Sequence, residues 1–327
     1  MPTVRTKTNN KKSPISVAFC FDHNMWMLAG VAIASLLRNA GARPYNIYCV
    51  VPADLSDAYR DELSRMVADM HKISSITFLN ANSDFDSSVT HQYTVGIYYR
   101  FMLVKLLPHV DKIIYMDADT TACTDLSELF DMDMGKNLIA GVRDADQGRP
   151  WPTQPNGYIN SGVLMMNLGE IRRSKMYDSW IELSRSDCFA YPDQDILNKT
   201  CDGRIMYLPL KYNYMCGAGG RFAPAVAAGI YSAPEVATAD KVPAIIHYIL
   251  KQPWLGRANK MGRVWWFYAA MTPFYAAFLS DVNQTPDVVE KRILLFNCIP
   301  VMRVKMYMNL SKYYLFGFIP LFKVKSA

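Results

Sequence analysis

Two carboxylates separated by one small residue, Asp117-Ala118-Asp119, follow directly on the apolar run Ile113-Ile114-Tyr115-Met116. A run of that length fits a buried central strand, and acids at its carboxyl end lie where open α/β sheets bind their ligands. Carboxylates this close repel one another unless a cation or hydrogen-bond donors neutralise them. A divalent metal is the simplest neutraliser: oxygen ligands suit Mg²⁺ or Mn²⁺, and an added imidazole tilts the choice towards Mn²⁺. The hydroxyl side chains of Thr120 and Thr121 suit a turn after the acids. Aspartates also cap ordinary turns, so the metal reading has to be supported from elsewhere in the chain.

Four other polar groupings stand at element ends, and a fifth polar residue lies within a helix. Asp22-His23-Asn24 closes an apolar segment that ends in Cys20-Phe21, and Asn160-Ser161-Gly162 makes a tight bend into a strand over 159–168. Pro192-Asp193-Gln194-Asp195 opens a short helix over 193–201, where the first-turn acids suit the macrodipole. His247 ends an apolar strand over 244–248, and Arg100 lies in a helix over 96–107 stopped by Pro108, one element before the paired acids.

The elements that must hold these groups alternate. Strands are predicted at 15–21, 45–51 and 76–79, with helices at 26–38 and 55–70 between them, the order of a parallel sheet covered by helices. Further strands are expected at 113–117 and 138–142, a Pro-, Gly- and Trp-rich binding loop at 144–157, and a single helix over 171–186. The segment 211–228, with Gly217, Gly219 and Gly220, reads as a flexible loop rather than a phosphate cradle. The fold class is α/β, with a mainly parallel, mixed sheet flanked by helices.

Composition agrees with one sizeable domain and an appendage: 327 residues, 51% hydrophobic and 20% charged. The 7 cysteines are odd in number and scattered, without a Cys-x-x-Cys pair, which argues for a reducing compartment and against a zinc knuckle. Residues 1–12 are polar and basic and lack the apolar core of a secretory signal, so a cytoplasmic location is expected. Net charge is +6; with +7 from residue 291 onward and +4 in the arm at 1–14, the body carries −5. The basic tail is rich in Ile, Leu, Phe, Met and Tyr, which favours an anionic membrane surface and makes nucleic acid an unexpected partner. The uncharged stretch Val264–Ser280 is shorter than the roughly 20 residues a spanning helix needs and contains Pro273. Its aromatic residues suit the headgroup level, and the apolar clusters after Lys291 are predicted to form interfacial helices.

Taken in order, Asp22-His23-Asn24, Asp117-Ala118-Asp119, Asn160-Ser161-Gly162, Pro192 to Asn198, His247-Tyr248 and Pro253-Trp254 resemble glycosyltransferase family 8. These are retaining sugar transferases of GT-A fold, including bacterial lipopolysaccharide core galactosyl- and glucosyltransferases and glycogenin. The resemblance implies a GT-A catalytic domain at 15–255, which leaves the basic arm at 1–14 and a helical, basic and aromatic extension at 256–327 on either side of it. It also implies transfer of galactose or glucose from a UDP-sugar to a lipid-linked saccharide, on the inner face of the cytoplasmic membrane. Asp117, Asp119 and His247 match the family's metal ligands. Cys20, Asp22 and Asn24 match the nucleoside contacts, and Arg100 and Ala118 stand where the donor's sugar or diphosphate is held.

Asn160, Ser161, Gly162 and Asp193 match the sugar contacts, and Gln194 matches the residue facing the anomeric carbon. Two retaining routes stay open: front-side exchange with the Gln194 amide oxygen stabilising the oxocarbenium ion, or covalent attack by Asp195. The family commonly reads His-x-x-Gly-x-x-Lys-Pro-Trp at the last motif. This chain has His247-Tyr248-Ile249-Leu250-Lys251-Gln252-Pro253-Trp254, one residue shorter and without the glycine, with Lys251 as the diphosphate contact. Alternative readings are a sugar nucleotidyltransferase on a similar sheet or a non-catalytic, membrane-attached sugar-binding protein; an oligomer is compatible with all of them.

Overall fold

All six residues of the first strand, β1 (Ile15–Cys20), are buried, the pattern of a strand covered on both faces. The computed structural model describes residues 13–88, 94–145, 157–186, 188–217, 219–257, 259–284, 289–295, 299–307, 310–315 and 319–325. The basic arm and most of the predicted binding loop at 144–157 lie outside the described residues. Two compact units divide the chain, Met1–His247 and Tyr248–Ala327.

In the first unit β1 is followed by α1 (Trp26–Arg38), β2 (Tyr45–Val51), α2 (Asp57–Met70) and β3 (Ser75–Asn80). Small residues on α1 (Ala29, Gly30, Ala32 and Ala34) let it bury almost its whole length. Next come α3 (Tyr99–Leu106), β4 (Ile113–Asp117), β5 (Thr120–Ala122), α4 (Ser127–Asp131), β6 (Ile139–Arg143) and β7 (Ile159–Met166). The unit is completed by α5 (Leu168–Arg173), α6 (Met176–Ser184), α7 (Pro192–Thr200), β8 (Ile205–Tyr207), β9 (Tyr214–Met215), α8 (Gly219–Ala227), α9 (Ala233–Lys241) and β10 (Ile245–His247).

The main sheet has seven strands in the order β3-β2-β1-β4-β7-β6-β8. β1, β2, β3 and β4 run parallel, while β7 is antiparallel to both β4 and β6. The chain winds outward from β1 through β2 to β3 and then returns to place β4 on the other side of β1. That reversal is a topological switch point, and it opens at the carboxyl ends of β1 and β4, where Cys20 is the register partner of Asp117. One side of the sheet is backed by an aromatic core in which Phe101 of α3 packs on Trp180 of α6, ring centroids 4.7 Å apart.

A second, three-stranded sheet, β5-β10-β9, has no counterpart in the sequence reading. Thr120 and Thr121 form no turn: they begin β5, which pairs antiparallel with β10 and sets His247 opposite Thr120. β9 runs parallel to β10 on its other edge. The segment predicted as a flexible loop over 211–228 is largely ordered into a 3₁₀ turn (Leu210–Asn213), β9 and α8. Local glycine content misleads there because order comes from pairing with β10 and from stacking of Tyr214 on Phe222, centroids 5.6 Å apart. The expected single helix over 171–186 is broken at Lys175, whose φ of 54° interrupts it into α5 and α6.

The second unit starts with a 3₁₀ turn, Pro253–Leu255, and two helices, α10 (Gly262–Ala269) and α11 (Tyr275–Gln284). Trp265 joins them, with centroids 5.3 Å from Trp254 and 4.9 Å from Phe278. The aromatic stretch therefore packs in part against itself, while Phe267, Tyr275 and Leu279 remain exposed. Among the described residues no helix is long and apolar enough to cross a membrane.

The interfacial helices expected after Lys291 are not what forms. There β11 (Val289–Leu295), β12 (Ile299–Tyr307), β13 (Leu310–Leu315) and β14 (Ile319–Lys325) make a four-stranded antiparallel sheet, so among the described residues the helices of the extension end at Gln284. The physical reason is period: Met302-Arg303-Val304-Lys305-Met306 alternates every second residue, which a strand satisfies and a helix does not.

Candidate active site

β4 ends in Asp117, and the two-residue step Ala118-Asp119 leads straight into β5. Because β10 pairs with β5, the ring of His247 arrives over the two acids: Nε2 lies 3.2 Å from an Asp119 oxygen and 3.8 Å from an Asp117 oxygen. One ligand atom from each residue falls within 4.8 Å of the other two, the only such His, Cys or acid grouping among the described residues. The imidazole is buried, whereas the acids keep 25% and 22% of their side-chain surface open. A cation can therefore approach from the acid side.

Glycine at position 162 makes this convergence possible. The β7 register against β4 pairs Met116 with Val163, so its next step sets Gly162 beside Asp117. A Cβ there would lie 2.1 Å from His247 Cε1 and 2.9 Å from Asp117 Oδ2, distances at which the imidazole or the carboxylate must move. Gly162 supplies close approach, and its φ is not in the left-handed region.

Burial pushes the Asp117 carboxyl above the ordinary carboxylate range; Arg100 opposes that push, and the charge of Asp119 adds to it. Partial burial pushes the Asp119 carboxyl the same way, yet His247 outweighs it and holds that carboxyl low. Burial alone would make His247 harder to protonate, but Asp119 and Asp117 outweigh it and raise the ring's pKa. The point where the three groups meet favours positive charge, and a set of two carboxylates and one imidazole fits Mn²⁺ or Mg²⁺.

Arg100 is buried at the centre of the site. Its Nη2 donates to Asp117 Oδ1 at 3.0 Å, and Nη1 donates to the Ser161 carbonyl at 2.8 Å and pairs with Asp193 Oδ2 at 3.0 Å. Nε donates to the Ile97 carbonyl, and the guanidinium lies 4.5 Å from the centroid of the Tyr115 ring. Most of its donors are thus committed to protein acceptors, so Arg100 ties the metal-type acid to Asp193. Tyr115, which sequence reasoning passed over inside an apolar run, also donates its hydroxyl to Asp117 Oδ1.

Asn160, Ser161 and Gln194 form the neighbouring polar surface. Ser161 N donates to Gln194 Oε1 at 2.9 Å, Asn160 Nδ2 to the same oxygen at 3.2 Å, and Ser161 Oγ to Asp193 Oδ2 at 3.0 Å. Gln194 Nε2 and Asn160 Nδ2 both donate to Asp144 Oδ2, a buried acid at the end of β6 that the sequence had not singled out. Asn198 holds α7 to β7, donating to the Ile159 carbonyl and accepting from the Ile159 N–H. Asp195 is buried with both oxygens engaged, one by the Tyr158 hydroxyl and the other by the Tyr191 N–H that begins α7.

The remaining expected contacts lie further out. Cys20 ends β1 as a buried thiol whose pKa burial drives well upward. Asp22 accepts the Asn24 N–H at 2.9 Å, a local turn bond at the carboxyl end of β1. Ala118 is buried between the two acids. Lys251 belongs to the second unit, where it adopts a left-handed φ of 52° and its carbonyl accepts from Asn259 Nδ2 at 2.9 Å. A left-handed lysine in a loop that lacks the expected glycine costs on the order of 1 kcal/mol.

Comparison with known proteins identifies the family and the fold. Residues 16–258 match the sequence profile of Glycosyl transferase family 8. The lipopolysaccharide 1,2-glucosyltransferase of Escherichia coli (strain K12) is 25% identical over 218 residues, covering 62% of this chain and 63% of that protein. The lipopolysaccharide glucosyltransferase WaaO of the same strain is 25% identical over 223 residues, 63% of this chain and 65% of that one. The matched region therefore spans just under two thirds of the length of these relatives. Among solved structures, the galactosyltransferase LgtC in complex with donor and acceptor sugar analogues superposes with a TM-score of 0.66 at 22% identity, covering 79% of this chain and 96% of that chain. The WbbM bifunctional glycosyltransferase gives 0.71 at 24% identity, covering 83% and 52%. These superpositions establish a shared GT-A type fold.

Proposed function

The chain belongs to glycosyl transferase family 8, and on that premise we propose that it is a retaining hexosyltransferase using a UDP-sugar donor. The acceptor is a lipid-linked saccharide such as the lipopolysaccharide core, and the product an α-linked galactose or glucose. The convergence of Asp117, Asp119 and His247 at the switch point, beside Asn160, Ser161 and Asp193, carries this reading. The glucosyltransferase names of the E. coli relatives support a hexose donor and a lipopolysaccharide acceptor.

Asp117, Asp119 and His247 Nε2 would hold a divalent cation, Mn²⁺ by the mixed oxygen and nitrogen donor set. Bound there, it supplies positive charge that offsets the charge growing on UDP as the glycosidic bond to phosphate breaks. Around it, Asp193 and the Asn160 and Ser161 side chains bind sugar hydroxyls, with Arg100 fixing Asp193 relative to Asp117. Gln194 faces the anomeric carbon. Two donors already draw electron density from its amide oxygen, and both Asp195 oxygens are engaged, so each is a weak nucleophile. That favours front-side exchange over a covalent glycosyl-enzyme.

A screen of UDP-hexoses should give Mn²⁺-stimulated release of UDP and, by NMR, an α-linked product from an α-linked donor. An inverted product would remove the retaining assignment. Pyrophosphate release from a nucleoside triphosphate and a sugar phosphate would favour the nucleotidyltransferase reading, and tight sugar binding without turnover the non-catalytic one.

Membrane attachment rests on the tail's charge. The seven basic residues from Lys291 onward are unaccompanied by acids, and register sets Lys305, Lys312 and Lys323 in one row across adjacent strands. A run of basic residues without acids is the composition an anionic surface attracts. Truncation after Gln284 should lower sedimentation with anionic vesicles at least about tenfold, roughly 1 kcal/mol per basic residue being an upper scale. Equal sedimentation of the truncated and full chains would refute the attachment.

A further inference from the structure

The ring of His247 has a second nitrogen, and the structure assigns it a partner that none of the site motifs contains. His247 Nδ1 lies 3.1 Å from Asn213 Oδ1, and Asn213 is fully buried at the end of the 3₁₀ turn that leads into β9. Its backbone is held to β10 on both sides: Ala244 N donates to the Lys211 carbonyl at 2.8 Å, and Cys216 N to the His247 carbonyl at 2.7 Å.

A side-chain amide can in principle face either way, but here the choice is forced from outside. Asn160 Oδ1 accepts from the Gly162 backbone N–H at 3.0 Å, a donor that cannot be reversed. Asn160 Nδ2 donates at 3.3 Å to Asp144, a carboxylate that only accepts while ionised. With Asn160 so fixed, Asn213 must present Nδ2 to Asn160 Oδ1, 2.8 Å away. Its oxygen is then left for His247, and the hydrogen between them must sit on Nδ1. Nε2 then faces Asp119 at 3.2 Å and Asp117 at 3.8 Å: without a cation it can donate a hydrogen of its own to Asp119, and with Nδ1–H kept in place Nε2 is the nitrogen at which a cation replaces that hydrogen.

We infer that Asn213 is a positioning residue: through Asn160 and the Gly162 N–H it holds a hydrogen on His247 Nδ1 and so gives Nε2 to the cation. The cation half rests on the metal reading of the proposed function; the Nδ1–H half does not. Outer partners of a ligating histidine commonly govern metal affinity by about 10- to 100-fold. Asn213 also links the metal-type site to the Asn160 and Gln194 surface through continuous hydrogen bonds.

The test is ¹⁵N-histidine NMR on the metal-free full chain, read for a hydrogen on Nδ1, alongside calorimetry of Mn²⁺ binding in the presence of UDP. The wild type should carry a hydrogen on Nδ1, whether or not Nε2 carries one as well. Asn213→Leu should lose the Nδ1 hydrogen, leaving Nε2–H, and weaken Mn²⁺ about 10- to 100-fold. Asn213→Asp, which keeps an acceptor for Nδ1 but gives up the donor to Asn160 Oδ1, should retain the hydrogen on Nδ1. Asn213→Ala replaces the leucine variant if that chain does not fold. A hydrogen retained on Nδ1 in Asn213→Leu or Asn213→Ala overturns the inference. If that hydrogen is lost but the wild type binds no Mn²⁺, the positioning role stands and the metal reading of the proposed function falls.

Discussion

Asp119→Ala is expected to lower Mn²⁺-stimulated UDP release from a UDP-sugar by roughly 10³-fold or more, the equivalent of several kcal/mol of lost charge stabilisation. The melting temperature should change little. Asp119 meets His247 at 3.2 Å, and it stands beside a second acid, so its removal forfeits one ion pair and relieves one repulsion. Asp117→Ala provides the contrast. Asp117 also receives Arg100 and the Tyr115 hydroxyl, and losing it strips a buried guanidinium of one carboxylate partner. Breaking a buried pair from one side costs about 3–5 kcal/mol, so Asp117→Ala should lose both turnover and stability. Unchanged Mn²⁺-stimulated turnover in Asp119→Ala would take that residue out of the ligand set.

Gly162→Ala should be nearly as damaging, although it adds only a methyl group. The new carbon would overlap His247 Cε1 at 2.1 Å and press on Asp117 Oδ2 at 2.9 Å. The clash is with two of the three groups that must converge, and neither is the far end of a long flexible chain. We expect Mn²⁺ affinity and turnover each to fall on the order of 10²-fold, with a stability loss of about 1–3 kcal/mol from overpacking. Gly141→Ala is the control. Its Cβ would meet Ile159 Cδ1 at 2.7 Å, so it should destabilise the sheet without touching the acids. Wild-type Mn²⁺ affinity in Gly162→Ala, measured by calorimetry with UDP present, would show that the site has more room than its geometry implies.

Several elements were legible because one local signal dominated each. The apolar periodicity of 26–38 and 45–51 gives α1 and β2 with the bounds observed. Paired acids after an apolar run mark the carboxyl end of β4. Where two local signals competed, the reading failed. Glycines in 211–228 suggested a loop although pairing with β10 orders much of it, and scattered lysines after Lys291 suggested interfacial helices although the alternation beneath them belongs to strands.

By itself the sequence determined the chemical inventory and the succession of strands and helices along the first half of the chain, since residue type and short-range periodicity are local properties. Asp117, Asp119 and His247 could each be picked out as an acid or imidazole at a strand end, and Gly162 as a glycine at a strand entry. Only the tertiary structure decided that they meet. The short β5–β10 ladder brings a histidine 128 positions further along the chain than Asp119 to within 3.2 Å of it. No residue of that ladder announces its partner, because backbone pairing between distant strands is stabilised by the packing of the whole unit and not by the three residues of β5. Asn213 shows the same limit: an asparagine in a glycine-rich stretch has no local mark of its role until β9 and β10 lie side by side.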